Sequence, residues 1–491
     1  MLKKTATPSP CEQTAAPALR PRLALAGTLA LHDELAARLA QDPYSVIQAL
    51  SAESGALRAK DRSFGGLKVL PLALSALLVD RDDRALLQTT AERLFILVER
   101  AIDWLLASPD RLARHAGDFR RMFPFLHKAR GCAHAQFVSR YDAVVTPDGA
   151  LKIIELNTGC PAGFMHADSF TRATSGALAA LGINPPAPSG NGDARRGYRS
   201  RTIAPQALVE GLLALEQQSG LRPGLVALLT DENQLTHELD LMVESFTNHD
   251  RPSAILDVRE LTFRHGRLAW RDHGISLSYD KFRISVPTSR NHCWREGFET
   301  RYADFLAAAR AGSFVAVNSL IAQTIGEDKS LLGLLRSDEI AHLFDAAERE
   351  FLAQHILWTH RLEDTTVDYE GESIDLVPYV RAHREQFVIK PCHEGRGFEV
   401  VIGREATADQ WNRLCAVDPA TPRVVQQYVE PLQLPVVCEI PGGAAVREMY
   451  LTLGLATVGG RYRGVLSRVS PSRVTNVARE GMVQAVLATS E

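Results

Sequence analysis

Residues 139–163 read SRYDAVVTPDGALKIIELNTGCPAG, a Pro-Asp-Gly turn between two apolar runs, the second of which closes on Glu155-Leu156-Asn157. A two- or four-residue turn built on Thr146-Pro147-Asp148-Gly149 predicts a hairpin that pairs even-numbered positions of the first strand with odd-numbered positions of the second. Side chains alternate with period two. Arg140, Asp142, Glu155 and Asn157 are therefore expected on one face, with Tyr141, Ile154 and Leu156 packing on the other. Two carboxylates and an amide oxygen make a hard-oxygen site suited to Mg²⁺, which takes a few protein oxygens and leaves its other positions to water and phosphate. The same residues also read as a solvated polar face with an Arg140–Glu155 cross-strand pair.

Around this hairpin stretch 491 residues, 45% hydrophobic and 23% charged, enough for two to four domains. A formal net charge of -3 gives no bulk attraction to nucleic acid or to an anionic membrane, and neither is expected as a partner. The seven cysteines are scattered, odd in number and never form C-x-x-C, which points to a reducing cytoplasm. No apolar run approaches the roughly 18 residues needed to cross a bilayer. The longest candidate, VLPLALSALLV at 69–79, is expected as a core helix. Residues 1–22 lack the apolar block of a secretory signal and are expected as a flexible tail.

Leu23 to about Leu126 carries helical spacing, with Leu94, Leu97, Val98, Ile102 and Leu105 at three- and four-residue steps. The hairpin follows, and then a Pro/Gly/Ser/Asn-rich linker, NPPAPSGNGDARRG. Beyond it, a buried strand at Leu225–Leu229, a polar turn, an amphipathic helix and a second strand in SAILDVREL form one βαβ unit. Short strands, helices and a strand-rich last hundred residues complete a mixed α+β and α/β chain.

Further chemistry sits in the last third. Lys390, inside the apolar strand FVIKP, is costly without a partner. Gly395-Arg396-Gly397 follows it, and a strand lysine beside a glycine loop is a way to hold a polyphosphate. The plainer reading is a strand, a turn and a snorkelling lysine. The segment is neither a Walker A loop nor a G-x-G-x-x-G fingerprint. RVVQQYVE places Gln427, Tyr428 and Val429 to meet an adenine edge and Glu430 to meet a ribose, or else is an ordinary strand end. Lys329 begins a helix, where a cation is a poor dipole partner. Arg468 and Asn476 stand in RVSPSRVTN near the C-terminus. H-E-x-x-H, paired-cysteine metal sites and G-x-S-x-G are absent. Cys160 and Cys392 lie near the two clusters without evidence of activation.

In this order the segments resemble the ATP-grasp superfamily in its circularly permuted form, which includes glutathionylspermidine synthases and related amide-forming ligases. In the usual order, as in D-alanine:D-alanine ligase, the metal-binding E-x-N follows the phosphate loop, whereas here Glu155-Leu156-Asn157 precedes Lys390 by more than two hundred residues. The resemblance covers residues 137–163 and 225 onward. It implies an ATP-grasp fold with an N-terminal helical region and a Rossmann-like α/β subdomain, divided as 1–22, 23–195, 199–318 and 319–491. It assigns Asp142, Glu155 and Asn157 to Mg²⁺, and Lys329, Lys390, Gly395, Arg396, Gly397, Gln427, Tyr428, Val429 and Glu430 to ATP. Arg140, Arg468 and Asn476 would approach the transferred phosphoryl group. Asp328 stands where the similar N-K-x-L-x-x-L segment has asparagine. The implied reaction joins a small-molecule or peptide carboxylate to an amine through an acyl phosphate, giving ADP and phosphate. The alternatives are phosphoryl or acyl transfer to a non-amine acceptor, and a degenerate nucleotide-binding regulatory protein. The α/β unit from Leu225 onward is expected to help select the carboxylate or amine; Arg283 and Arg295 are its candidate anion contacts, and the plainer reading of each is an ordinary surface arginine.

Overall fold

The computed structural model describes residues 21–64, 68–183, 200–231, 237–282, 285–287, 292–294, 297–393, 397, 399–419, 421–475, 477 and 480–489. The expected tail up to residue 20, the linker, the polar turn at 232–236, Gly395, Arg396, Asn476, Arg283 and Arg295 lie outside these residues.

The chain opens with helices α1 (Ala26–Gln41) and α2 (Pro43–Ala56), the second capped by the Asp42 carboxylate, which accepts from the Ser45 N–H at 3.1 Å. The helix expected over 69–79 is extended chain instead. Leu72, Ala73, Leu74 and Ala76 are fully buried, so the run has no polar face for an amphipathic helix to present. Its backbone is paired elsewhere: Leu74 donates to Val437 O, Glu439 donates to Leu72 O, and β1 (Leu77–Val79) lies parallel to Val486–Ala488. Pro71 and the available sheet edges account for the difference. The long helix α3 (Arg81–Leu106) then starts at a capping box in which Asp80 and Asp83 each bond the other's N–H. Its buried stripe includes Leu87, Leu94, Val98 and Ile102.

Strands β2 (Val138–Val145) and β3 (Leu151–Asn157) form the hairpin. Arg140 pairs with Asn157 and Asp142 with Glu155: the expected pairing of even with odd positions is present, and Arg140 is not opposite Glu155. A bulge at Ile154 then shifts the register, so that Ala143 faces Ile153 and Val145 faces Leu151.

Next, β4 (Leu225–Thr230), α4 (His237–Thr247), β5 (Ser253–Asp257), β6 (His273–Asp280) and β7 (Val315–Val317) build a parallel sheet ordered β5-β4-β6-β7. Val226, Ala227, Leu228 and Leu229 are fully buried, the mark of a strand covered on both faces. A short helix, α5 (Ser330–Leu335), leads to an antiparallel sheet ordered β8-β11-β9-β10, made of β8 (Thr359–Arg361), β9 (Phe387–Pro391), β10 (Val401–Ile402) and β11 (Arg423–Gln427).

The last strands are β12 (Gln433–Ile440), β13 (Gly443–Val458), β14 (Arg461–Ser470) and β15 (Met482–Gln484). The first half of β13 pairs with β12. Its second half lies between β14 and β2, giving the order β15-β14-β13-β2-β3. The hairpin is thus the continuation of a sheet whose other strands come from the far end of the chain. No helix among the described residues is long and apolar enough to cross a membrane.

Candidate functional site

The site forms where this sheet meets the β8-β11-β9-β10 sheet and the start of α5. At its base, Asp142 on β2 is almost fully buried and accepts from two guanidinium groups. Arg140 holds it with Nε at 2.7 Å and Nη2 at 3.0 Å, and Arg468 on β14 approaches with Nη2 at 2.8 Å. Burial opposes ionisation of Asp142, but the charges and hydrogen bonds of the two arginines outweigh it and hold the carboxyl below its usual range. Burial pulls Arg468 below its ordinary range despite the help of Asp142, and its Nε is buried without a hydrogen-bond partner. The stem of Arg140 runs across Gly454, where an added Cβ would lie 2.6 Å from its Cδ.

Opposite Asp142, Glu155 is bridged by Lys329 at 3.0 Å. The alternative Arg140–Glu155 pair is not formed as a contact; each residue has another partner. Asn157 ends the strand with its Nδ2 buried and unpartnered. The loop beyond is anchored by Asn318, whose side chain accepts from the Phe137 and Val138 N–H groups and donates to the Val138 and Thr158 carbonyls. Further along, Glu238 on α4 accepts from the Gly163 and Phe164 N–H groups, and Arg140 Nη1 donates to Ala162 O.

Lys390 reaches the cluster from β9. It is 6% exposed, and its Nζ donates to Gln426 Oε1 at 2.7 Å and to Ile154 O at 3.2 Å. The second acceptor is the carbonyl of the bulge residue. Burial lowers the Lys390 pKa from 10.5 to about 8; Glu155 opposes that fall and Lys329 adds to it. Cations therefore outnumber anions in the cluster: Arg140, Arg468, Lys329 and Lys390 face Asp142 and Glu155.

The expected adenine segment begins on the last residue of β11, Gln427. Its Gln427 N–H donates to Trp358 O and its Tyr428 N–H to Gln386 O. The Gln427 side chain bonds Glu370. The Glu430 carboxylate is held by the Tyr428 hydroxyl, Arg404 and Arg473. Val429 lies between these residues, just beyond the strand. Gly397 has φ of +63°, the left-handed backbone that glycine accepts without strain. Cys160 is fully enclosed and burial pushes its thiol up to about 12, the opposite of an activated nucleophile.

Among the described residues, no group of three His, Cys, Asp or Glu is arranged to hold a metal. The metal expectation also named Asn157, and the fit is partial. Glu155 and Asn157 face the cluster, and a half-turn of the Asn157 amide would put an acceptor oxygen where its unpartnered nitrogen lies. Asp142 has both oxygens engaged by arginines, because two buried guanidinium groups need that carboxylate more than a hydrated cation does.

Two partners escaped the sequence reading. Gln426 meets Lys390 because Val388 opposes Gln426 and Lys390 opposes Val424, which puts lysine and amide on one face; alternation gives each strand's parity, but that the two strands pair is seen only in the structure. His393, whose Nε2 lies 3.1 Å from Asp328 Oδ2, left no signal in spacing.

No protein-family model matches the sequence, and no curated protein matches it. Among solved structures, the chain is similar to a glutathione synthetase-like effector from Globodera pallida in its apo form, with a TM-score of 0.61 and 12% sequence identity. The likeness covers 91% of this chain and 98% of that one. It establishes a mixed α/β architecture of the glutathione synthetase-like kind.

Proposed function

We propose that the protein is an ATP-dependent ligase of the ATP-grasp type that joins a carboxylate to an amine, forming ADP, phosphate and an amide. One observation carries the reading: four cationic side chains from separated segments converge on two carboxylates, beside two buried polar atoms without partners. A surplus of positive charge in a low-dielectric setting favours a polyphosphate over a bare divalent cation. The glutathione synthetase-like fold supports the same class.

In this reading Lys329 and Lys390 bind the phosphates, and the glycine segment that contains Gly397 adds backbone N–H groups. Arg140 and Arg468, held by Asp142, face the group being transferred; the resemblance gives Asn476 the same task. Phosphoryl transfer requires reactants held in line and charge neutralised on the oxygens, tasks that these fixed cations perform without a covalent nucleophile. Mg²⁺ held by Glu155 and Asn157 would supply further neutralisation. The substrate carboxylate attacks the γ-phosphate, ADP leaves, and the amine displaces phosphate from the acyl carbon while giving up a proton. The permuted order belongs to this proposal, supported by the placement of β2 and β3 beside β13 from the end of the chain. The test is ADP and phosphate release from Mg·ATP with pooled amino acids and small carboxylic acids, with mass spectrometry of products. Substrate-dependent ADP with a dehydrated adduct is expected, lost in Glu155→Ala and Lys390→Ala. ADP without an adduct would contradict amide formation.

A further inference from the structure

We infer that Asp328 and His393 form a clasp that sets the spacing between the two phosphate-facing lysines, Lys329 and Lys390, making both clasp members positioning residues. The inference rests on the nucleotide reading of the cluster. Asp328 immediately precedes Lys329, and His393 lies three residues beyond Lys390, so the pair joins the backbones that carry the two lysines. Both side chains are buried, and His393 Nε2 lies 3.1 Å from Asp328 Oδ2. A backbone hydrogen bond from Lys329 N to Cys392 O, 3.0 Å, runs alongside. Each member is itself fixed. Asp328 Oδ1 accepts from Ser330 N at 2.8 Å, and the His393 ring stands edge-on to Phe119 with centroids 4.1 Å apart.

The energetics indicate why such a device is present. Burial opposes ionisation of Asp328, yet the adjacent imidazole, with help from Arg361 and Ser330, holds its carboxyl at about 2. A buried carboxylate beside an imidazole is a poor source of net stability. Such a contact can, however, fix a spacing, and here it works against a specific force: the Lys329 and Lys390 ammonium groups repel, and Lys329 adds to the fall that burial causes in the Lys390 pKa. Glu155 offsets part of that repulsion, and the clasp ties the two segments together.

The experiment uses the full chain with Asp328→Asn, His393→Gln and the double substitution. Mg·ATP binding is measured by calorimetry, adenosine binding by competition and folding by thermal melting. Each single substitution is expected to weaken Mg·ATP about tenfold or more while leaving adenosine within about twofold, and the double to be no worse than the weaker single. If Asp328→Asn does not fold, His393→Gln alone decides through the ATP-to-adenosine split. Folded variants that bind Mg·ATP like the wild type, or that lose ATP and adenosine alike, would overturn the clasp and leave the nucleotide reading standing. A wild type that binds no Mg·ATP would overturn the nucleotide reading and the clasp with it.

Discussion

Arg140 and Lys390 are buried cations of one site held in opposite ways. Arg140, with Arg468, is matched to a carboxylate through short, partly bidentate contacts. Lys390 is held by a neutral amide and a carbonyl, and burial, with Lys329 nearby, reduces its affinity for a proton. The difference separates framework from receptor. An ion pair that is already complete fixes geometry, whereas a buried ammonium supported by neutral groups gains most when an anion arrives.

The comparison breaks most readily at Asp142. Asp142→Ala leaves two guanidinium groups buried without their carboxylate, and urea unfolding is expected to show a loss of about 3–5 kcal/mol. A loss typical of a surface residue would place the arginines in water. Lys390→Met should do the reverse. Stability holds or rises slightly, because an unfavourable buried charge is removed, while affinity for Mg·ATP falls about a hundredfold or more in calorimetry. A large destabilisation with intact binding would make the lysine part of the framework.

pH sharpens the same contrast. In the folded protein Lys390 loses its proton near 8, whereas the unfolded lysine keeps it to near 10.5. Between these values the unfolded chain binds more protons, so the contribution of this residue to stability rises with pH. Mg·ATP affinity should move the other way, falling by up to about tenfold per pH unit above 8 as a proton must be taken up on binding. Lys390→Met removes both trends. A smaller effect is expected at Gly454. Gly454→Ala crowds the Arg140 stem and should cost about 1–3 kcal/mol in the same unfolding assay.

Much of this site was legible because period-two alternation is a local rule. The turn at 146–149 and the parity of Arg140, Asp142, Glu155 and Asn157 followed from it and hold at the open end of the hairpin. The bulge at Ile154 did not follow, since an extra residue leaves alternation intact on each side and becomes visible only against a partner strand. The apolar run 69–79 misled for a related reason: a segment buried on all sides carries no period, so the Val437, Ala485 and Val486–Ala488 partners that make it extended had to be seen in space. The placement of Lys329 against Glu155 likewise depends on contacts across more than 170 residues of sequence, which local patterning does not encode.

The central claim is that this converging charge is a polyphosphate receptor, and calorimetric titration of Mg·ATP into the wild-type chain and into Lys390→Met at pH 7 tests it most directly. The account predicts one-to-one binding by the wild type and none measurable in the variant, with both equally folded. Absence of binding by the folded wild type, or equal binding by the two, would contradict it.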